Sequence, residues 1–179
     1  GYLDSEGVVD NSWYKRMNLR SNIKHQFNNK LSLSLNMSYA RSSSQMFGAN
    51  GKSDAVSFAL QSDPIFPVYN ELGTLSHRDP ESIWYAFQPY SFQLWHPYIF
   101  TRESENEKII NNFIANLALD YKILPDLIFR TSIGGNIDDQ FYWDYRNGRL
   151  HYGHEQNRVA EANERSQSVF NWIWENTLN

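Results

Sequence analysis

Between Arg16 and Tyr39 the chain alternates between two kinds of residue. Odd positions carry Met17, Leu19, Ser21, Ile23, His25 and Phe27, and even positions carry Arg16, Asn18, Arg20, Asn22, Lys24 and Gln26. After Asn28-Asn29-Lys30 the pattern restarts, with Leu31, Leu33, Leu35, Met37 and Tyr39 set against Ser32, Ser34, Asn36 and Ser38. Successive side chains of a β-strand point to opposite faces. A period of two therefore predicts two strands, Trp13–Phe27 and Leu31–Arg41, each with an apolar and a polar face, joined by a tight hairpin. An ordinary strand has about 5–6 residues. These hold their pattern for roughly twice that, about what a tilted strand needs to cross a bilayer.

The same signal returns further along. Lys108 to Ile123 reads as a strand whose odd face carries Ile109, Phe113, Leu117, Leu119 and Tyr121, its even face being more mixed, with Ile110 and Ile114 among Asn112 and Asn116. Leu124-Pro125-Asp126 reads as a turn, and Leu127 to Asp138 as the next strand. A fifth starts near Arg165, with Phe170, Trp172 and Trp174 set against Asn171 and Glu175. Residues 1–12 read as polar and turn-like. Residues 42–104 and 139–162 read as long connections. Within the first, a short helix is predicted over Ala55–Gln61, capped by Ser53 or Asp54, followed by a turn at Asn70-Glu71-Leu72-Gly73.

Short turns on one side and long excursions on the other are the asymmetry of bacterial outer-membrane barrels, periplasmic and extracellular respectively. The expected fold is therefore all-β: an antiparallel meander of about five strands, part of a large transmembrane β-barrel, with 42–104 and 139–162 as extracellular loops. Trp13, Tyr14, Tyr39, Phe141, Tyr142 and Trp143 fall near the upper strand ends, where an interfacial girdle belongs, and Phe27 and Tyr121 near the lower turns. Five strands do not close a membrane barrel, so open edges must pair with other segments. One alternative is a soluble carbohydrate-binding β-sandwich, which requires a second sheet burying Leu31, Leu33, Leu35 and Met37. Another is a structural outer-membrane barrel without transport.

Composition narrows the choice without deciding it. The net charge of −4 and the lack of a Lys/Arg run give no sign of a nucleic-acid partner. Mean hydropathy is −0.62, and no apolar stretch approaches the ~18 residues of a membrane helix. A barrel wall escapes that test, because only every second residue meets lipid. Without cysteine, neither disulfides nor thiolate metal sites are available. The chain opens on Gly1-Tyr2-Leu3-Asp4 and stops inside the alternation at Trp172–Asn179, so it is expected to be an internal piece of something longer.

The succession Tyr2-Leu3-Asp4-Ser5-Glu6-Gly7-Val8-Val9, Tyr14-Lys15-Arg16, Leu19-Arg20-Ser21-Asn22-Ile23, Leu35-Asn36-Met37-Ser38-Tyr39-Ala40-Arg41-Ser42, Pro67-Val68-Tyr69-Asn70-Glu71-Leu72-Gly73 and Asn171-Trp172-Ile173-Trp174-Glu175-Asn176 resembles the SusC/RagA-type TonB-linked outer-membrane proteins. The resemblance covers essentially the whole chain. It implies a nutrient importer of the Gram-negative outer membrane, taking up oligosaccharides or in some cases peptides. Such a protein has an N-terminal plug domain and a 22-stranded barrel, draws energy from TonB and is capped by a SusD-like surface lipoprotein. The plug domain and the segment that contacts TonB are absent from these residues, which would supply barrel wall and extracellular loops.

The densest candidate chemistry is aromatic: Phe66, Tyr69, Trp84, Tyr85, Phe87, Tyr90, Phe92, Trp95, Tyr98 and Phe100, all in the first long connection. Flat rings with polar edges suit stacking on sugars or burial under a protein lid, and Trp84, Tyr85, Tyr90, Trp95 and Tyr98 are the candidates for ligand or lid contact. Rings in a long ordered loop also pack the loop upon itself. Arg16, Asn18, Arg20, Asn22 and Lys24 are expected to face the lumen and contact the plug, the two guanidinium groups gripping carboxylates. His151-x-x-His154-Glu155 matches no strong metal template. Asp138 and Asp139 are strand neighbours pointing to opposite faces and so are no catalytic pair. Neither an enzyme nor a cofactor is expected.

Overall fold

A computed structural model describes residues 1–47, 55–62, 67–73, 97–147 and 159–179. The alternating segments form one six-stranded antiparallel sheet in sequence order: β1 (Tyr2–Glu6), β2 (Trp13–Gln26), β3 (Leu31–Gln45), β4 (Ser104–Leu124), β5 (Leu127–Arg146) and β6 (Glu161–Leu178). Two seven-residue helices, α1 (Ala55–Gln61) and α2 (Pro97–Glu103), lie between β3 and β4. The expected all-β antiparallel meander is thus present, with one strand more than the five expected. Among the described residues no helix is long and apolar enough to cross a membrane, which says nothing of strands.

Register turns the one-dimensional alternation into a two-dimensional surface. Ile23 opposes Leu35, Leu35 opposes Leu117, Leu117 opposes Ile133, and Ile133 opposes Trp174. A second row joins Leu19, Tyr39, Phe113, Ile137 and Phe170. From the row of Leu31 and Tyr121 to that of Tyr39 and Phe113, one face of the sheet is predominantly apolar. The indole N–H of Trp174 donates to Thr131 Oγ1 at 3.0 Å, so that polar edge is satisfied within the sheet.

No second sheet covers this face among the described residues. Leu31, Leu33, Leu35 and Met37 are half-buried, and Leu117, Ile133 and Trp174 are 39%, 52% and 64% exposed, contrary to what the sandwich alternative requires. The next row up is polar: Arg41, Asn111, Asp139 and Ser168. There Ser168 Oγ donates to Asp139 Oδ1 at 2.5 Å, and Tyr39 donates to Asn111 Oδ1 at 3.1 Å. The apolar zone ends at that line.

Several boundaries differ from the sequence reading. β1 forms in a segment read as turn, because the open edge of β2 offers backbone partners from Tyr2–Met17 to Glu6–Trp13. β3 runs on through Ser42-Ser43-Ser44, and β5 extends to Arg146 opposite Ser104, so strands occupy parts of 42–104 and 139–162 read as loop. Serines are weak strand formers and Phe141–Tyr145 places aromatics on both faces, so neither shows a period-two signal. Pairing with β4 supplies the order instead. The aromatic girdle divides: Trp13, Phe141 and Trp143 share the apolar face's side, whereas Tyr14 and Tyr142 lie on the polar face. The hairpin turns are as read. Asn28 Oδ1 accepts from the N–H groups of Lys30 and Leu31 at 2.8 and 2.9 Å, and Leu124 pairs with Leu127.

Ala118 of β4 apart, the buried apolar side chains among the described residues lie in the helical connection rather than under the sheet. Phe47, Ala55, Phe58, Ile99 and Phe100 form a small core, with Val9 and Val68 packed against it. Phe58 and Phe47 meet the Phe100 ring edge-on, at 5.2 and 5.8 Å between centroids. Replacing a buried Phe by Ala costs about 3–5 kcal/mol. Phe58→Ala is therefore expected to abolish amide-exchange protection in α1 and α2 while leaving β4 and β5 unchanged. Unaltered protection in both helices would contradict this packing.

Candidate functional site

Two regions carry the candidate side chains. The first is the helical connection above the sheet. Pro97 occupies the first position of α2, where its missing N–H costs nothing. The α2 helix is tied down on two sides. Arg102 pairs with Asp10 in the β1–β2 turn, with Nε at 3.0 Å and Nη2 at 2.9 Å from Oδ2, and Asn11 Nδ2 donates to the Thr101 carbonyl at 2.8 Å. At the same C-terminal end of α2, Asn147 Nδ2 donates to Glu103 Oε2 at 2.6 Å. Asn11 itself has φ +63°, the left-handed region that Asn tolerates better than most residues.

Of the aromatic candidates, Tyr98 is 38% exposed on α2 and stands edge-on to Tyr69, itself 50% exposed, at 6.4 Å between centroids. The Arg102 guanidinium lies 5.3 Å from the Tyr98 ring centre, leaving hydroxyl edges and a cation at the surface. The hydrogen bond with Tyr98, reinforced by charge repulsion from it, raises the Tyr69 hydroxyl above its ordinary value. Phe100 is buried in the loop core, so for that ring the packing role holds. Trp84, Tyr85, Tyr90 and Trp95, with Phe66, Phe87 and Phe92, lie outside the described residues. So do His151, His154, Glu155 and the Ser53 or Asp54 helix cap.

The second region is the polar face. β2 brings Arg16, Asn18, Arg20, Asn22 and Lys24 there together, opposite Ser42, Ala40, Ser38, Asn36 and Ser34 of β3. Among the described residues no acidic side chain of β1 to β3 lies on that half of the face. Arg16 Nε donates to Asn18 Oδ1 at 3.0 Å. The other half is more balanced and more bonded. Asn112 donates to Asn136 and Asp138, Gln140 donates to Asp138 Oδ1 at 2.8 Å, and Tyr142 donates to Gln140 Oε1 at 3.0 Å. The Lys108 ammonium stands 4.9 Å from the centre of the Tyr142 ring. Asp138 and Asp139 point to opposite faces, as the alternation required.

Sequence reasoning missed Asp10, Asn11 and Arg102. Their contacts join segments some ninety residues apart, and local pattern carries no trace of such pairings.

A single antiparallel meander, apolar on one uncovered face and polar on the other, has the architecture of a β-barrel section. No family profile matches the chain. It is 31% identical over 157 residues to the TonB-dependent receptor SusC of Bacteroides thetaiotaomicron, covering 75% of this chain and 15% of that protein. It is 26% identical over 139 residues to the TonB-dependent receptor P3 of Formosa agariphila, covering 74% of this chain and 13% of that protein. The chain is thus similar in sequence to a section of these TonB-dependent receptors.

The tie between α2 and the β1–β2 turn can be separated into side-chain and backbone parts. Asn11→Gly removes only the bond to Thr101, worth about 1 kcal/mol, and is expected to speed amide exchange in Pro97–Glu103 roughly fivefold. Asn11→Ala adds left-handed strain of roughly another 1 kcal/mol and should exchange faster still. Equal rates in the two variants would contradict a strained Asn11.

Proposed function

We propose that this chain is barrel wall and extracellular loop of a TonB-dependent outer-membrane transporter that imports nutrients such as oligosaccharides or peptides. One observation carries the reading: the uncovered apolar zone between the rows of Leu31–Tyr121 and Tyr39–Phe113. It takes nine residues of each strand, and about 9–11 tilted strand residues span a hydrocarbon core. Lipid acyl chains cover that zone, and the polar face lines the lumen. β4, with 21 residues, is roughly 70 Å long at the usual rise per residue. Its upper half, with those of β5 and β6, rises beyond the membrane and bears the long connections outside the cell.

In this arrangement Arg16, Asn18, Arg20, Asn22 and Lys24 contact a plug domain, through which TonB supplies the energy. The helical connection meets cargo and a SusD-like surface lipoprotein through Tyr98 and the neighbouring candidates Trp84, Tyr85, Tyr90 and Trp95. The work of this section is binding and passage, not catalysis. Six strands are too few to close a membrane barrel, and both sheet edges pair with further strands of the receptor.

Adjacent substitutions of opposite orientation test the membrane assignment. In lipid vesicles, Leu117→Arg is expected to destabilise the full-length receptor by about 2–4 kcal/mol, as a midplane cation on the lipid face does, and Asn116→Arg by at most about 1 kcal/mol. Denaturant titration measures both. A larger penalty at 116 than at 117 would reject lipid as the cover of the apolar face.

A further inference from the structure

Just above the apolar zone, the same side of the sheet carries two cations that the transport reading leaves without a role. Arg41 stands one row above Tyr39, opposite Met17 of β2 and Asn111 of β4. Lys15 stands one row higher, opposite Asp4 and Ser43, so the two cations are diagonal neighbours on adjacent strands. Parity gives both to the apolar side, with Leu19 and Leu35. Every other Lys and Arg of the six strands falls on the polar face. Arg41 is exposed, and no ion pair engages it among the described residues. The acid of its row, Asp139, lies two strands away, roughly 10 Å at the usual spacing, and accepts from Ser168 Oγ. Lys15 is half exposed, shares Asp4 at 3.5 Å and stands 5.7 Å from the centre of the Trp13 ring.

A cation on the outer wall of the sheet has one medium to meet. An Arg stem lies along apolar surface while its guanidinium reaches out to polar surroundings. Without a carboxylate partner the Arg41 guanidinium keeps its full charge, and its planar fork matches the oxygens of a phosphate. We propose that Arg41, assisted by Lys15, binds the phosphate of a lipid headgroup in the outward leaflet. This rests on the reading of acyl chains as the cover of the apolar face. Two arguments favour a lipid over a dissolved phosphate ion. Acyl chains packed on the apolar zone hold their headgroups at its upper edge, the height of the Arg41 row, and such tethering raises the effective concentration of phosphate there. The cations also mark one leaflet only. At the lower edge, the row of Leu31, Tyr121, Phe129 and Leu178 carries no cation on this side.

A photoreactive benzophenone amino acid in place of Ser43, above Arg41 on the same side of β3, samples this position in the full-length receptor. The receptor is placed in vesicles of equal parts phosphatidylglycerol and phosphatidylcholine, and the lipid adducts are counted by mass spectrometry. Adducts with the anionic lipid are expected to outnumber those with the zwitterionic one about fivefold, the effect of one cation near a charged membrane surface. Arg41→Gln should bring that ratio to about one, whereas Arg41→Lys, which keeps the charge, should retain part of the preference. Equal adducts in the parent receptor, or an unchanged ratio in R41Q, would overturn the proposal. Excess inorganic phosphate is expected to leave the ratio unaltered. If it erases the preference, the site holds a dissolved ion and the lipid assignment falls. Absence of the preference alongside the expected Leu117→Arg penalty sinks this inference alone. Loss of that penalty sinks the acyl-chain cover beneath it.

Discussion

Strand register is the constraint on which the rest of this molecule depends. From β2 to β5 odd residues oppose odd residues, except at the register shift beside the Leu124–Leu127 turn, so one apolar alternation is laid beside the next without a change of face. Between β5 and β6 the parity reverses, Phe129 opposing Leu178, and the sequence of β6 reverses with it by placing Phe170, Trp172 and Trp174 on even positions. A slip of one residue at any ladder would carry a whole strand's apolar set to the other side. The short turns resist such a slip. The Asn28 side chain closes one with two backbone donors, and Leu124 opposite Leu127 closes the other.

Register also explains why the chain has so little interior. A sheet that gives its apolar face to an external medium needs no second layer, and among the described residues no second layer lies under it. What core there is serves the connection between β3 and β4: two aromatic contacts around Phe100 and a few aliphatic side chains hold two short helices together. Helices of seven residues are far too short to persist alone. They persist because that core, the Asp10–Arg102 pair and the Asn11–Thr101 bond fasten them to the top of the sheet. Wall and crown are therefore stabilised by different physics, the first by backbone ladders and its surroundings, the second by local packing.

How much of this could be read from the sequence follows from that division. The faces of β2 to β6 were legible, because Leu31 to Tyr39 carry the period in every residue and their counterparts on the other strands in most. So was α1, where Ala55–Gln61 sits between breakers. The upper strand extensions were not, since Ser42–Ser44 and Phe141–Tyr145 become strand only through their neighbours. β1 was hidden for the same reason: Tyr2, Asp4 and Glu6 show no apolar face, and an open backbone edge recruits them. On the candidate site, the grouping of Arg16, Asn18, Arg20, Asn22 and Lys24 on one face followed from parity alone. The attachment of Tyr98 through Arg102 to Asp10 is a three-dimensional accident of chain return that no local pattern encodes.

The central claim is that acyl chains cover the apolar side of the ladder. Spin labels placed one at a time at each position from Leu31 to Tyr39 of the full-length receptor in bilayers measure this, through their collision rates with oxygen and with a water-soluble nickel chelate. The account predicts a period of two, with oxygen collisions high at 31, 33, 35, 37 and 39, greatest near Leu35, and low at the even positions between them. Rates without alternation, or with the nickel chelate reaching Leu33 and Leu35 more readily than Ser34 and Asn36, would contradict it.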